Sequence, residues 1–197
     1  ERGGALVTGF RLDDFQAPAG LAITEETLWA NLGYFLKAVM PHAAKHQIRI
    51  ALHPDDPPIA RLGSVSRILV SLANIQRAIN LVPSDYLGVT FCQATYAAMG
   101  EDIVQAATTL AQAKKIFFIH FRDIRGDKTD FHETFHDNGQ TDMARMVRLY
   151  CDLGCAVPVR VDHVPTMAGE TNQTPGYATV GRLFAIGYLK GLMDAVD

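Results

Sequence analysis

The run Ile116–Phe117–Phe118–Ile119 is continuously apolar and β-prone, and it stops at His120. A strand without polar alternation is one covered on both faces, as in a parallel sheet flanked by helices. The same grammar recurs along the chain. Ile48–Leu52 ends at His53, Tyr86–Cys92 ends on a cysteine, and Val157–Val161 ends at Asp162–His163. Between these runs, apolar residues at helical spacing predict helices over Ser64–Asn80, Ile103–Ala113 and Met143–Gly154. A further helix precedes the first strand: Thr24 is its hydroxyl cap, Glu25 and Glu26 fill its first turn, and Leu28, Leu32, Phe35, Leu36 and Val39 form its apolar face. Repeated strand, polar loop and helix make an α/β fold with a parallel sheet and right-handed crossovers. Residues 1–23 read as an irregular lead-in to a single domain covering 1–197.

In a parallel sheet all carboxyl ends lie on one side, where α/β proteins build their sites. His53, Cys92, His120 and Asp162 are therefore expected to converge on one rim as metal ligands. Two imidazoles, a thiolate and a carboxylate suit zinc, ferrous iron or manganese and disfavour magnesium and calcium. Arg122, two residues beyond His120, is read as a guanidinium fork for a substrate carboxylate. Asp55, in the proline-flanked stretch His53–Pro58, and Glu133 and His136, in the loop after His120, are the other candidate substrate contacts.

Composition removes several function classes. The formal charge is −3, and no run of Lys or Arg offers a patch for a phosphate backbone, so nucleic acid is not an expected partner. No segment approaches the roughly 18 uninterrupted apolar residues of a membrane span, and nothing at the amino end reads as a signal peptide. Three cysteines leave one over in any pairing, which fits a reducing compartment and a cytoplasmic location. Cys151 and Cys155 are read as packing residues, and His42 and His46 as solvated groups near a helix end. A rival signal is His132–Glu133–Thr134–Phe135–His136, which fits the H-E-x-x-H pattern of zinc peptidases. That pattern requires a sustained helix, and the polar, Gly126-containing stretch up to Asp130 leaves room for only about two turns.

Taken together, His53–Pro54–Asp55–Asp56–Pro57–Pro58, Phe91–Cys92, His120–Phe121–Arg122, Phe131–His132–Glu133 with Asn138–Gly139 and Asp142–Met143, Arg160 with Asp162–His163, and Pro175–Gly176–Tyr177 with Gly181–Arg182 resemble the mannonate dehydratase family. The resemblance runs in order along nearly the whole chain. It implies a TIM (β/α)8 barrel of the xylose-isomerase-like kind and dehydration of D-mannonate to 2-keto-3-deoxy-D-gluconate with one divalent ion, Mn2+ or Fe2+. It also implies that His53, Cys92, His120 and Asp162 hold the metal and that His163 and Tyr177 are catalytic. One departure is Val161, where the family's motif carries a proline.

The resemblance covers the carboxyl-terminal half of the family's chain. Four βα units in 197 residues fall short of a barrel of about 250 residues. The chain opens at Glu1 without an initiator methionine and is read as an internal piece, a half barrel whose open edges call for a second copy, giving a dimer, or for a complementing amino-terminal half. The alternatives within the same chemistry are a metal-dependent sugar isomerase or epimerase and a non-catalytic half-barrel fragment.

Overall fold

A computed structural model describes residues 1–15 and 23–196. The part of the lead-in spanning 16–22 lies outside the described residues. The elements in order are β1 (Gly9–Arg11), α1 (Glu25–Lys45), β2 (Ile50–Leu52), β3 (Arg61–Leu62), β4 (Val65–Ser66), α2 (Leu72–Ile79), β5 (Leu87–Cys92), α3 (Gln93–Met99), α4 (Ile103–Gln112), β6 (Ile116–His120), β7 (Ile124–Gly126), β8 (Asp130–Glu133), α5 (Met143–Asp152), β9 (Val159–Arg160) and α6 (Thr179–Asp194).

The expected parallel sheet is present, in the order β2-β5-β6-β9, with every pair parallel. Each residue of β5 is buried, and its apolar side chains Leu87, Val89 and Phe91 join Ile116 and Ile119 of β6 in the main core. Helices cover that core with one face each: Leu36 and Met40 from α1, Ile75 and Ile79 from α2, Ala106 and Leu110 from α4, Met146 and Tyr150 from α5. Side-chain oxygens of Thr24, Ser71, Asp102 and Asp142 accept the first free amides of α1, α2, α4 and α5, which sets where each helix begins. Among the described residues no helix is long and apolar enough to cross a membrane.

Several expectations need correction. The helix over Ser64–Asn80 is confined to Leu72–Ile79; Ser64–Ser66 belong to the β3–β4 hairpin, which turns at Gly63 (φ +60°), and residues 67–71 are irregular. The reason is a competing set of partners. Asp55 Oδ2 accepts the amides of Ile68 and Leu69 at 3.0 and 2.8 Å, and Asn74 Nδ2 donates to the Ile68 carbonyl at 2.8 Å, so these backbone groups are taken before a helix can use them. The lead-in is not wholly irregular, since Gly9–Arg11 pairs with β8. α1 continues past Pro41 to Lys45, and its expected core residue Phe35 is 52% exposed. Two helices, α3 and α6, have no counterpart in the apolar periodicity.

The stretch Asp130–Glu133 is an antiparallel strand between β1 and β7. With His132 in this strand and His136 three residues past its end, the two lack the one-turn spacing on a single helix face that a zinc peptidase needs. His132 is exposed while His136 is buried, so the peptidase reading fails on geometry.

Gly88, in the middle of β5, tests the packing. A Cβ there would overlap the Lys115 carbonyl oxygen and the Phe117 ring, whereas a Cβ at Gly187 in α6 would meet open space. Gly88→Ala is expected to destabilise by about 1–3 kcal/mol, and Gly187→Ala to stabilise by about 0.5–1 kcal/mol. Denaturant midpoints of the two variants check the contrast.

Candidate metal centre and active site

The register of the sheet places the candidate groups. Cys92 lies opposite His120, and His120 opposite Arg160, so three strands end at one level. His53 follows β2 by one residue and reaches past β5, its Nε2 lying 3.1 Å from His120 Nδ1. The donor atoms of His53, Cys92 and His120 all lie within 4.8 Å of one another. Asp162 stands beside this trio: its Oδ2 is 3.4 Å from His120 Nδ1 and 3.2 Å from Arg122 Nε. Its backbone is left-handed (φ +54°), a conformation in which aspartate is tolerated better than most residues and which bends the chain at the rim.

The protonation chemistry of the trio fits a cation. His53 Nδ1 is 2.6 Å from the Pro54 carbonyl, an acceptor only, so Nδ1 carries a proton and Nε2 is the nitrogen that faces His120. Burial opposes ionisation of the Cys92 thiol, but the Arg122 guanidinium and hydrogen bonds from His120 and His53 outweigh it and bring the thiol down to about 5. Burial likewise pushes the His53 imidazolium down, yet the Cys92 thiolate beside it holds its pKa above the ordinary value.

Arg122 is the centre of the surrounding charge network and is only 1% exposed. Its Nε donates to Cys92 Sγ at 3.2 Å, Nη1 pairs with Glu133, and Nη2 pairs with Asp56 and donates to Thr95 Oγ1 at 3.1 Å. Every edge of the guanidinium is occupied, which overturns its reading as a free fork for substrate. Burial opposes its charge, but Cys92, Glu133, Asp56 and Asp162 around it outweigh that and hold its pKa well above the ordinary value. A divalent cation would relieve this crowding of acidic groups, and the soft and hard donors present fit one.

Other expected site residues take different positions. Asp55 spends its carboxylate on the Ile68 and Leu69 amides and on Arg67, 3.5 Å away, so it shapes the loop and does not face substrate; its neighbour Asp56 is the acid that reaches the site. His136 is 1% exposed, and its Nε2 donates to the Val161 carbonyl at 2.8 Å, tying the segment after β8 to the residue before Asp162. Burial lowers its pKa and keeps it neutral, so it braces the site from behind and does not line the open face. Glu133 is buried between Arg122 and His163. His163 and Tyr177 do meet, with Nε2 and the phenol oxygen 2.9 Å apart. The guanidinium carbons of Arg160 and Arg182 lie 5.6 and 4.9 Å from the Tyr177 ring centroid. Sequence reading passes over Thr95, although its place three residues after Cys92, in the first turn of a helix, is the spacing at which a hydroxyl turns back towards the residue before that helix.

The distinction between the donor trio and His136 is directly measurable. Metal stoichiometry is expected to collapse in His120→Ala and to survive in His136→Ala; the reverse would remove the strand-end trio as the binding site. Because a bound metal displaces protons from its ligands, affinity measured by chelator competition should weaken as pH falls through the raised His53 pKa, and further as the Cys92 thiol reprotonates near about 5.

A profile of the D-mannonate dehydratase (UxuA) family matches residues 9–197. Mannonate dehydratases of Streptococcus pneumoniae (strain 70585) and Streptococcus suis (strain 05ZYH33) are 37% and 36% identical over 176 residues, which are 88% of this chain and 48% of each relative. The chain thus spans about half the length of the curated relatives it matches. The crystal structure of mannonate dehydratase from Streptococcus suis serotype 2 superposes with a TM-score of 0.92 at 31% identity, covering all of this chain and 59% of that one. A D-tagatose 3-epimerase-like protein shares the fold, with a TM-score of 0.62 at 15% identity over 89% of this chain and 60% of its own. With the profile matching residues 9–197 of 197, the chain belongs to the D-mannonate dehydratase family.

Proposed function

We propose that this chain supplies the metal-holding and proton-handling part of a mannonate dehydratase, which removes water from D-mannonate to give 2-keto-3-deoxy-D-gluconate. The observation that carries the reading is the meeting of three donor side chains from three parallel strand ends beside the hydrogen-bonded pair His163–Tyr177. His53, Cys92 and His120 would hold one Mn2+ or Fe2+, with Asp162 as the fourth ligand. When bound, such an ion supplies Lewis-acid stabilisation of the negative charge that develops beside a substrate carboxylate.

Dehydration takes a proton from C2 and expels the hydroxyl of C3; the resulting enol becomes the 2-keto acid when C3 gains a proton. The first departure needs a base and the second an acid. His163 and Tyr177, joined by a hydrogen bond, would divide these transfers, and Tyr177, 39% exposed, is the member open to a ligand. Arg122 keeps the Cys92 thiol ionised, and its pairing with Asp56, Glu133 and Asp162 holds the wall of the site rigid. Arg182, beside Tyr177 and without a carboxylate partner among the described residues, replaces Arg122 as the guanidinium available to a sugar-acid carboxylate.

The likeness in fold to the mannonate dehydratase and to the epimerase-like protein supports a barrel in which this sheet is one part. Among the described residues β2 and β9 each pair on one side only, and Tyr34, Leu183 and Ile186 are exposed. A complementing amino-terminal half, or a second copy, would cover these edges. Isomerisation or epimerisation on the same scaffold is distinguished by product, since only dehydration yields a 2-keto-3-deoxy acid.

Turnover of D-mannonate is therefore expected once an amino-terminal half is supplied, in the same polypeptide or in trans. In that enzyme His163→Asn should keep stoichiometric metal and sugar-acid binding while turnover falls by roughly 10²–10⁴, and Tyr177→Phe should behave alike. Near-normal turnover by His163→Asn at full metal occupancy would remove His163 from the chemistry.

A further inference from the structure

We propose that Glu133 is a positioning residue that fixes which nitrogen of His163 carries the proton, an inference that rests on the reading of His163 and Tyr177 as the proton-handling pair. His163 Nδ1 has two neighbours: Glu133 Oε1 at 3.0 Å and Arg122 Nη1 at 3.3 Å. They demand opposite tautomers. An ionised carboxylate only accepts, so it requires a proton on Nδ1; a guanidinium only donates, so it requires a lone pair there.

Three observations decide between them. Glu133 Oε1 is the nearer atom, and its own Oε2 has no hydrogen-bond partner among the described residues, so both of its contacts converge on one oxygen. Arg122 Nη1 also donates to that same oxygen, and its own contact with Nδ1, at 3.3 Å, is the longer of the two. A lone pair on Nδ1 would face a carboxylate oxygen at 3.0 Å in a side chain only 4% exposed, where like polarity is poorly screened. The proton therefore sits on Nδ1, and Nε2 presents its lone pair to the Tyr177 hydroxyl at 2.9 Å.

The fold holds both ends of this chain. Glu133 is pinned by its own amide, which donates to the Thr8 carbonyl at 2.8 Å, and by pairing of β8 with β1 and β7. On the far side the Val164 amide donates to the Gly176 carbonyl at 2.9 Å, which keeps the residue after His163 beside the residue before Tyr177. Among the described residues the Glu133 carboxylate is paired with Arg122 and His163, and the residue is 3% exposed. It acts through His163.

The test uses this chain as it stands, labelled with 15N-histidine, metal-free and at about pH 8, above the ordinary imidazole range. Long-range 1H–15N correlations separate the two tautomers, and the His163 signals are those lost in His163→Asn. The wild type is expected to show Nδ1–H. In Glu133→Ala the nearest remaining group to Nδ1 is Arg122 Nη1, so the pattern should switch to Nε2–H. A wild type already in the Nε2–H form, or an Ala variant that keeps Nδ1–H, overturns the proposal. Should the Ala variant fail to fold, Glu133→Gln, a weaker neutral acceptor, is expected to raise the Nε2–H fraction above the wild type, and no rise overturns it equally. In the complete enzyme Glu133→Ala should lower kcat by about 10–100-fold with KM little changed. The tautomer is read without substrate. Its failure therefore leaves the proton-handling reading standing, and a fully active His163→Asn would sink that reading while leaving the tautomer result intact.

Discussion

The buried guanidinium of Arg122 is the interaction on which the rest of the site depends. It meets Cys92 from β5, Asp56 from the loop after β2, Glu133 from β8 and Asp162 from the segment after β9. Those four groups arrive from separate parts of the chain, and without a shared cation between them their mutual repulsion in a poorly hydrated space would drive them apart. Removing one partner from a buried ionic cluster typically costs about 3–5 kcal/mol, because the charges left behind stay desolvated. One residue thus sets the ionisation of the thiol and the position of the acid behind His163.

Around this hub the fold separates rigid support from chemistry. The parallel strands, packed between α1, α2, α4 and α5, fix the height at which Cys92 and His120 emerge. The small antiparallel sheet β1-β8-β7 orients the chemistry from behind, since β8 brings Glu133 beneath His163 and the segment after it brings His136 against the chain before Asp162. Asp123 anchors the loop between the two layers, accepting the Thr141 amide and hydroxyl at 2.7 and 2.9 Å. The residues that would touch metal or substrate stand at the ends of regular elements, and the residues that orient them come from the antiparallel sheet and the loops.

The parallel sheet is legible in the sequence because its signal is local. A continuous apolar run closed by one polar residue, repeated along the chain, already says that the strands are buried on both faces and that their ends face one side. His53, Cys92 and His120 stand out in this way. The hairpin at Arg61–Ser66 does not, because the apolar spacing of Ile68, Leu69 and Leu72 suits a helix as well, and the deciding contact comes from Asp55, more than a dozen residues away. The sequence match with H-E-x-x-H is undone by pairing with Gly9–Arg11, over a hundred residues upstream.

By itself, then, the order of residues determined the α/β class, the common side on which the strands end and the chemical character of the donor set, since each of these follows from short-range periodicity and residue type. Tertiary structure alone decided which polar groups are spent on one another. Arg122 and Asp55 look free in sequence and are saturated in the fold; Glu133 looks like a loop residue and stands behind His163. Whether a charged side chain faces substrate or another side chain depends on distances between segments remote in the chain, and spacing along one strand carries no information about them.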